Sequence, residues 1–401
     1  MQVCSGSREE ALVLLTAFLS KAGKSYKKNR NFDLGAGQHR HVSQLSAYIK
    51  RRIITEEDVL KKVLSAHSLN EAGKFIDEIF WRTYFKGWLE SRPHIWMQYC
   101  ADVHHLTHEL QTQSGLRDRW AAACLGETGI DCFDAWAKEL AETGYLHNHA
   151  RMWFASIWVY TLQLPWQLGA DFFLRHLLDG DAASNTLSWR WVVGLHSVGK
   201  TYLARAENIQ RFTNGRFAPK GLAQVAPPLN DTASTMAPKI IDAPNRYLDG
   251  RKTGLLLHSD DLNIAHLTHH SDCIASAVYR PVDAGTMLVS SPKLLEFNNA
   301  ALDAATKQWK PNLLNCCDVT TPEAILSWAL ENKLEQIVTP YAAVGNTSQI
   351  LEKYKHLLSN HGVQLTQVMR EYDIVCWPYA TKGFFKFREK NPKILTSLSM
   401  I

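Results

Sequence analysis

Two aspartates on either side of a glycine mark the part of this sequence that is richest in chemically useful side chains. Asp179 and Asp181 flank Gly180, Asn185 follows four residues after the second acid, and tryptophans stand at 189 and 191. An isolated D-G-D run is most often a turn or a helix cap. The neighbouring amide and tryptophans make a second interpretation possible, in which these groups surround a ligand.

A second polar pair lies upstream. Asn148 and Arg151 are three residues apart, so both side chains lie on one face of a predicted helix. If Asp, Asn and Arg side chains converge between tryptophan-rich helices, they suit a flat, anionic cofactor that forms several hydrogen bonds. The sequence therefore predicts a ligand site between these helices.

The elements that must position these residues fall into two parts. Residues 1–220 carry apolar side chains at helical spacing, as in Phe75-Ile76-Ile79-Phe80 and Phe133-Trp136-Leu140, and predict an all-helical domain. Residues 221–250 contain four prolines among small polar residues and predict a linker.

Residues 251–401 follow a different pattern. Short apolar runs alternate with helical segments, which predicts βαβ units and a parallel, Rossmann-like sheet. The predicted strands are Gly254 to Leu257, Thr286 to Ser290, Leu313 to Cys316 and Gln336 to Val338, and the predicted helices are 292–308, 322–332 and 347–360. No G-x-G-x-x-G run or P-loop is present, so this part has no dinucleotide fingerprint of its own.

Composition narrows the class of protein. The chain has 401 residues, a formal charge of +5 and eight cysteines without a C-x-x-C pair, which predicts two domains with free thiols in a reducing compartment. The first apolar run, 11–19, follows two glutamates and predicts an amphipathic helix rather than a signal peptide. No run is long enough to span a bilayer, so we expect a cytoplasmic protein.

Two groups of histidines are candidate metal ligands. His104, His105 and His108 form one group, and His258, His266, His269 and His270 form another near two aspartates. Because neither group has cysteines or a full ligand set, surface histidines are the simpler interpretation and no metal is predicted.

Several segments resemble DNA photolyases, in order and at matching spacing. TGYLHNHARM at 143–152 is similar to the photolyase motif T-G-W-M-H-N-x-x-R-M, and LLDGDAASN followed by WRW is similar to D-G-D-x-A-x-N…W-x-W. FIDEIFWRTYF and VSQLSAY resemble two further photolyase segments. The resemblance covers roughly residues 6–217 and implies an FAD-binding member of the photolyase/cryptochrome superfamily.

The resemblance implies a set of cofactor contacts. Residues near the phosphates and ribitol would be Tyr26, Ser43, Gln44, Leu45 and Ser46. Residues near the isoalloxazine would be Arg82, Asn148, Arg151, Asp179, Asp181 and Asn185, with Asn148 facing flavin N5. Asn at that place resembles photolyases, whereas plant cryptochromes have Asp and insect cryptochromes have Cys.

The resemblance also implies substrate and electron-transfer residues. Glu78, Asn148, Met152 and Trp191 would be catalytic, and Trp81 and Trp191 would stack on a flipped-out pyrimidine dimer. Trp189 and Trp166 match the first two members of the photoreduction chain, whereas the third falls at or near Ala123. Trp120 or a tyrosine is an alternative third member. Taken singly, each of these tryptophans is also an ordinary core residue.

Three departures from the family qualify this interpretation. Val42 and Gln44 replace the Thr and Arg of the phosphate loop, and His149 replaces an Arg that contacts the lesion. TGLLLHSDDLN and FFKFREKNP loosely resemble the antenna domain, which here follows the flavin domain instead of preceding it. Whether a second, antenna chromophore binds stays open.

The resemblance implies two functions, beside a plainer third alternative, a flavoprotein that has lost both of them. The first is a light-driven DNA photolyase, a carbon–carbon lyase that acts on pyrimidine dimers in damaged DNA. The second is a cryptochrome-like FAD photoreceptor without repair activity. The retained Glu78, Asn148, Met152 and Trp191 favour repair, whereas the altered phosphate loop and domain order favour the photoreceptor.

Overall fold

The first half of the chain is helical. The computed structural model describes residues 5–231, 236–241, 247–268, 273–281 and 288–401. The helices of the first half are α1 Arg8–Leu19, α2 Lys24–Asn29, α3 Ser46–Lys50, α4 Glu56–Ala66, α5 Leu69–Glu90, α6 Pro93–Thr112, α7 Ser114–Leu125, α8 Asp131–Thr143, α9 Asn148–Ser156, α10 Trp166–His176, α11 Ala182–Val192 and α12 Ala206–Phe212. No strand occurs within residues 5–231.

Side-chain caps explain where several of these helices begin. Ser7 and Ser68 accept backbone N–H bonds at the start of α1 and α5, and Thr55 and Asp58 form a reciprocal capping box at α4. Asp181 caps α11 by accepting the N–H of Ser184. The second acid of the D-G-D run is therefore a helix cap, as the simpler interpretation expected, and its side chain is held in one place.

The second half contains a parallel five-stranded sheet. Its elements are β1 Thr253–Leu257, β2 Cys273–Tyr279, α13 Pro292–Trp309, β3 Cys317–Val319, α14 Pro322–Glu331, β4 Gln336–Pro340, α15 Asn346–Asn360 and β5 Gln364–Val368. The strand order is β3-β2-β1-β4-β5, with every pairing parallel. The predicted parallel sheet is confirmed.

Individual strands differ from the sequence prediction. The strands near 254 and 336 are present, but β3 begins at Cys317 rather than Leu313, because residues 314–315 form a turn in which Asn315 has a φ of 45°. The expected strand at 286–290 is not observed at 288–290, and residues 286–287 lie outside the described residues. β2 and β5 were not predicted at all.

The two faces of the sheet contact different cores. Leu255 and Leu257 of β1 pack into the core that the helices of the first half share, whereas Leu256 packs with α14 and α15. Successive strand residues point to opposite faces, so the alternation follows from strand geometry. The sheet therefore lies between the helical part on one face and α14 and α15 on the other.

The C-terminal segment returns to the helical part. It contains α16 Glu371–Cys376, α17 Phe384–Arg388 and α18 Asn391–Ser397, with a 3-10 turn at Trp377–Tyr379. Tyr372 hydrogen-bonds Thr83 of α5 at 2.8 Å, and Trp377 packs so closely on Gly87 that a Cβ there would lie 2.8 Å from the indole. This segment packs on α5 and belongs to the helical core.

A buried network of charged residues joins the helical part, the sheet and the C-terminal segment. Arg52, between α3 and α4, contacts Asp373 of α16 at 2.6 Å, Asp261 after β1 at 3.2 Å and Glu56 at 3.5 Å. Arg370 contacts Asp261 at 2.6 Å. Burial opposes the charge on Arg52, but the three carboxylates outweigh it and raise the pKa of the guanidinium. The network fixes the sheet and the C-terminal segment against the first helices.

Within the described residues, no helix combines the length and apolar character that crossing a membrane would require.

Candidate FAD and substrate site

An open cavity of about 260 Å³ lies between α2, α5 and α9. Its lining consists of Tyr26, Arg30, Asn31, Val42, Glu78, Asn148, His149 and Met152. Four residues that the sequence singled out, Tyr26, Glu78, Asn148 and Met152, therefore come together. Asn148 is exposed, so the cavity is accessible from solvent.

One wall of this cavity is an ion pair that the sequence analysis did not predict. Arg30 Nη1 donates a hydrogen bond to Glu78 Oε1. Burial raises the pKa of Glu78, although Arg30 partly offsets this effect. Burial and the nearby Glu78 also raise the pKa of Tyr26, which keeps its hydroxyl protonated. The cavity thus presents a carboxyl group, a guanidinium and a phenol side by side.

A second cluster contains the acids of the D-G-D run. Arg151 Nη2 lies 3.1 Å from Asp179 Oδ2, and Arg82 Nη1 lies 3.7 Å from Asp181 Oδ2. Burial disfavours the charge on Asp179, but Arg151 and Arg82 outweigh it and lower the pKa of this carboxyl. Asp181 behaves alike: burial raises its pKa, but Lys86 and Arg82 reverse this shift and lower it.

Two buried polar atoms of this cluster make no hydrogen bond within the described chain. Arg82 Nη1 and Asp179 Oδ1 are both buried and have no hydrogen-bond partner within the described chain. Asn185 Nδ2, by contrast, donates to the Ala170 carbonyl at 2.8 Å and ties α11 to α10. Buried polar groups are rarely left unpaired, so Arg82 and Asp179 fit a polar ligand between them.

The loop at 42–46 precedes this cluster. Leu45 is buried and Ser43 Oγ accepts the Leu45 N–H at 3.4 Å, while Gln44 has a φ of 55°. Gln44 Nε2 donates to the His39 carbonyl at 3.4 Å. The loop therefore has a defined shape and leads directly into α3 at Ser46.

His39 anchors that loop through a buried group that sequence reasoning missed. His39 Nε2 lies 2.7 Å from Glu139 Oε1 of α8, and with Asp33 these side chains form a set that could hold a metal ion. Asp33 already accepts hydrogen bonds from Gly35 N–H at 3.0 Å, Trp136 Nε1 at 2.9 Å and Arg216 at 2.9 Å. These contacts give the group a structural role beside the loop. His269 and His270 lie outside the described residues.

A further cavity of about 110 Å³ lies between the helical part and the sheet. It opens at the carboxyl ends of β1 and β4, where the strand order reverses, which is the usual ligand position in open α/β sheets. Lys50 and Asp260 pair there at 2.6 Å, and the start of α15 lies in its wall. Lys86 also lines this cavity, with Asp181 at 3.8 Å.

The comparisons with known proteins identify the helical part. Residues 75–221 match the family described as the FAD binding domain of DNA photolyase. The deoxyribodipyrimidine photo-lyase of Alkalihalophilus pseudofirmus is 30% identical over 189 residues, which cover 47% of this chain and 38% of that protein. The Thermus thermophilus enzyme is 31% identical over 198 residues, covering 47% and 42%. Residues 75–221 of this chain therefore belong to the family of photolyase FAD-binding domains.

Two solved structures are also similar. A bacterial class III photolyase from Agrobacterium tumefaciens gives a TM-score of 0.39 at 25% identity, and the Synechocystis cryptochrome gives 0.43 at 20%. Each comparison covers 52% of this chain and 43% of the other. Like the curated relatives, these proteins are matched over less than half of their own length.

FAD is the cofactor of the photolyase domain that this chain matches. The Arg82 and Asp179 atoms that make no hydrogen bond, the 42–46 loop and the adjacent cavity provide hydrogen-bonding groups of the kind that FAD requires. The predicted cofactor is confirmed, whereas the contact made by each residue stays a prediction.

The two tryptophans expected to stack on a lesion do not line the open cavity. The Trp81 ring stacks on Phe384 of the C-terminal segment at 3.6 Å between centroids, and Trp191 stacks on Tyr202 at 5.6 Å. Both rings therefore have aromatic partners within the protein, although Trp81 lies only three residues after Glu78 on α5.

The expected electron-transfer residues lie in a dense aromatic core. Trp189 packs against Phe173 at 5.2 Å and against Trp158 at 6.2 Å, and a Cβ on Gly169 would lie 2.3 Å from its indole. Trp166 stacks on Tyr99 at 5.7 Å, while Ala123 is fully buried. Of the alternatives for the third member, a tyrosine is thus the one in ring contact with Trp166.

Proposed function

We propose that this protein is a light-dependent DNA photolyase that repairs pyrimidine dimers with reduced FAD. The observation that carries the proposal is the open cavity in which Glu78, Asn148 and Met152 meet. Arg151, which pairs with Asp179, lies on the same helix, α9, as Asn148 and Met152. When bound, reduced and excited by blue light, FAD supplies the electron that splits the dimer. The whole-chain activity is proposed because the relatives are matched over only part of their length.

The cofactor would lie between α3, α5, α9 and α11. Ser43, Gln44, Leu45 and Ser46 would offer hydroxyls and backbone N–H groups to the phosphates, with Tyr26 beside the ribitol. The ring system would contact Arg82, Asn148, Arg151, Asp179, Asp181 and Asn185. Arg151 and Asp179 would orient the isoalloxazine through charge-assisted hydrogen bonds, because their ion pair is already in place.

The substrate would enter from the solvent side of the same cavity. Glu78, held in the cavity wall by Arg30, would contact a base edge, and Met152 would fill an apolar gap. Flipping a dimer out of DNA costs less than flipping an intact base, since the dimer is already poorly stacked. Damaged DNA is therefore the proposed partner, and Trp81 and Trp191 are the proposed stacking residues outside the cavity lining.

The sheet would form a Rossmann-like antenna domain placed after the flavin domain. Its 3-2-1-4-5 strand order and the cavity at the strand-order reversal support this assignment. A second chromophore would occupy that cavity, between the sheet and Asp181. Its chemical identity is left to extraction and spectroscopy of the purified protein.

A direct test is repair of a thymine-dimer oligonucleotide under blue light after chemical reduction of the flavin. Reduction beforehand bypasses Trp189 and Trp166, so the outcome depends on the substrate site alone. We expect restored thymines in illuminated samples and none in a dark control. Trp191→Ala should abolish repair while FAD remains bound.

The second candidate is a cryptochrome-like photoreceptor that binds FAD without repair. The stacking of Trp191 on Tyr202 favours it, because this ring already has an aromatic partner within the protein. Absence of repair in a sample whose absorption spectrum shows reduced FAD would contradict the photolyase proposal and support this candidate. Salt-dependent binding that prefers damaged over undamaged DNA would support repair.

A further inference from the structure

The indole ring of Trp81 stacks face to face on one aromatic ring, that of Phe384 in the C-terminal segment. The rings of Trp81 and Phe384 are separated by 3.6 Å between centroids and tilted by 11°, so they lie almost parallel. Tyr84 meets Trp81 edge-on at 5.7 Å, and Phe85 is tilted by 40° at 5.2 Å. Among the ring contacts recorded for Trp81 in the described chain, Phe384 alone covers a face of the indole.

Phe384 is itself held firmly. Its side chain is 5% exposed, and its neighbour Phe387 on α17 is fully buried against Phe80 and Tyr84. Arg388 of the same helix bonds Asp77 of α5 at 2.8 Å. α17 is thus fixed to α5 by Phe387 and Arg388, which lie three and four residues after Phe384. These contacts leave Phe384 little freedom to move.

Trp81 itself remains partly exposed to solvent. A ring that is covered on one face by a fixed aromatic partner and accessible elsewhere is already oriented for stacking, so a ligand does not have to immobilise it. An unsupported indole on the same helix would have to lose rotamer freedom when a base binds. The support comes from residues outside the 75–221 region that matches the photolyase FAD domain.

We propose that Phe384 is a positioning residue that fixes the plane of Trp81 so that an extruded pyrimidine base can stack on its open side. The proposal rests on the proposed function for its ligand, a damaged DNA base, but the contact itself belongs to the protein alone. The proposal also gives the C-terminal segment, which packs on α5, a role in substrate recognition.

The first test observes Trp81 without DNA. Protein labelled with 5-fluorotryptophan is compared by fluorine NMR as wild type, Phe384→Leu, Phe384→Tyr and Phe133→Leu, with Trp81→Phe assigning the resonance. We expect a broadened or split Trp81 signal in Phe384→Leu, because leucine fills space without a flat face. Phe133 is fully buried in α8 and stacks on Phe154, so Phe133→Leu is the matched control. Phe384→Tyr and Phe133→Leu should keep the wild-type signal. An unchanged Trp81 signal in Phe384→Leu would overturn the proposal.

The second test measures binding of dimer-containing and undamaged oligonucleotides at one fixed salt concentration. Phe384→Leu should lose preference for the damaged strand by roughly 2- to 10-fold, the range expected for one aromatic contact. Phe384→Tyr should keep the wild-type preference, and so should the control Phe133→Leu despite a similar loss of core packing. Equal losses in both leucine variants would reduce Phe384 to a packing residue and overturn the inference. If the wild type shows no preference for damaged DNA, the proposed function fails, and the NMR result still decides whether Phe384 positions Trp81.

Discussion

At the scale of single residues, the ion pair between Arg151 and Asp179 is the sharpest test of the cofactor site. Asp179→Asn removes the carboxylate charge while keeping the shape of the side chain, so Arg151 loses its charge-assisted partner at 3.1 Å. We expect FAD affinity to fall about 10-fold, in line with the loss of a hydrogen bond to a charged group. Fluorescence titration of the apoprotein with FAD measures it.

Asp171→Asn is the matched control. Asp171 is also buried on α10, but its carboxylate pairs with Arg175 at 2.7 Å rather than with one of the proposed flavin contacts. Its loss should lower stability and leave FAD affinity within about twofold of wild type. Equal FAD losses in both variants would place the flavin elsewhere.

Glu90 supplies a pH-dependent contact between α5 and the sheet. Its carboxyl accepts the Val344 N–H and the Tyr341 hydroxyl, and burial raises its pKa to about 7. A carboxyl whose pKa is higher in the folded state binds a proton more tightly there. Its contribution to the free energy of unfolding is therefore greatest below the ordinary value of 4.5 and decreases as the pH rises to 7.

Glu90→Gln should remove this dependence, because the neutral amide does not titrate. Its oxygen can still accept the Val344 N–H, and its NH2 group can donate to the Tyr341 hydroxyl oxygen. We expect the variant to be more stable than wild type by roughly 1–3 kcal/mol at pH 8 and to converge with it near pH 5. Urea unfolding at both pH values measures the difference. A constant offset between the two proteins would show that the carboxyl does not titrate in this range.

Whether a contact between two residues could be predicted from the sequence depended on how far apart they lie along the chain. Asn148, Arg151, Asp179 and Asp181 occur in short, recognisable runs, so their proximity was foreseen and the Arg151–Asp179 contact is present. The pairs His39–Glu139 and Glu90–Tyr341 bring together residues from distant elements. Local spacing carries no signal for such pairs, because only the packed fold places them side by side.

At the scale of elements, α5 is the helix on which most of the proposed site depends. It carries Glu78, Trp81 and Arg82, and the C-terminal segment covers its far half. Gly87→Ala should be strongly destabilising there, because the new Cβ would lie 2.8–2.9 Å from three atoms of Trp377. We expect a loss of about 1–3 kcal/mol, typical of overpacking, and measure it by urea unfolding.

Gly73 on the same helix provides the control. A Cβ at Gly73 meets nothing within 4 Å, so Gly73→Ala gains helix propensity without a clash. Its stability should rise by about 0.5–1 kcal/mol. Opposite signs for two identical substitutions in one helix would confirm how closely the C-terminal segment packs. A loss at both positions would indicate that α5 tolerates no change in general.

Strands were harder to predict than helices for a physical reason. Helices can be predicted from their capping residues and from the spacing of their apolar residues. Ser291 and Thr321 cap α13 and α14, which begin where the sequence predicted. β2 has the sequence CIASAVY, in which small residues replace the expected aliphatic run, and β5 has the polar sequence QLTQV. Their strand conformation follows from pairing with β1 and β4, which no local pattern reveals.

At the scale of the whole molecule, the sequence foresaw a helical part followed by a parallel sheet, but not the return of residues 371–398 to the helices. FFKFREKNP resembled a segment of an antenna domain, whereas Phe384 and Phe387 join the core of the helical part. The reason is that burial of aromatic area, rather than chain order, decides where a segment docks. The two ends of the described chain thus both contribute to the helical part, with the sheet between them in sequence.

The charge network around Arg52 holds this arrangement together, and its removal should affect the molecule as a whole. Arg52→Met keeps most of the side-chain volume but leaves Glu56, Asp261 and Asp373 buried with one fewer cation. An uncompensated buried carboxylate is far more costly than a lost exposed ion pair, so we expect a loss of about 3–5 kcal/mol in the free energy of unfolding.

Arg280→Met is the matched control, because Arg280 also contacts two aspartates, at 2.7 and 2.8 Å. Asp303 and Asp318 are 70% and 58% exposed, so water replaces the lost contacts and the expected loss is below about 1 kcal/mol. Urea unfolding followed separately by flavin absorbance and by far-UV circular dichroism compares the two. If Arg52 joins the parts, its variant should release FAD at the same urea concentration at which the fold is lost, and a small loss equal to that of Arg280→Met would contradict this role.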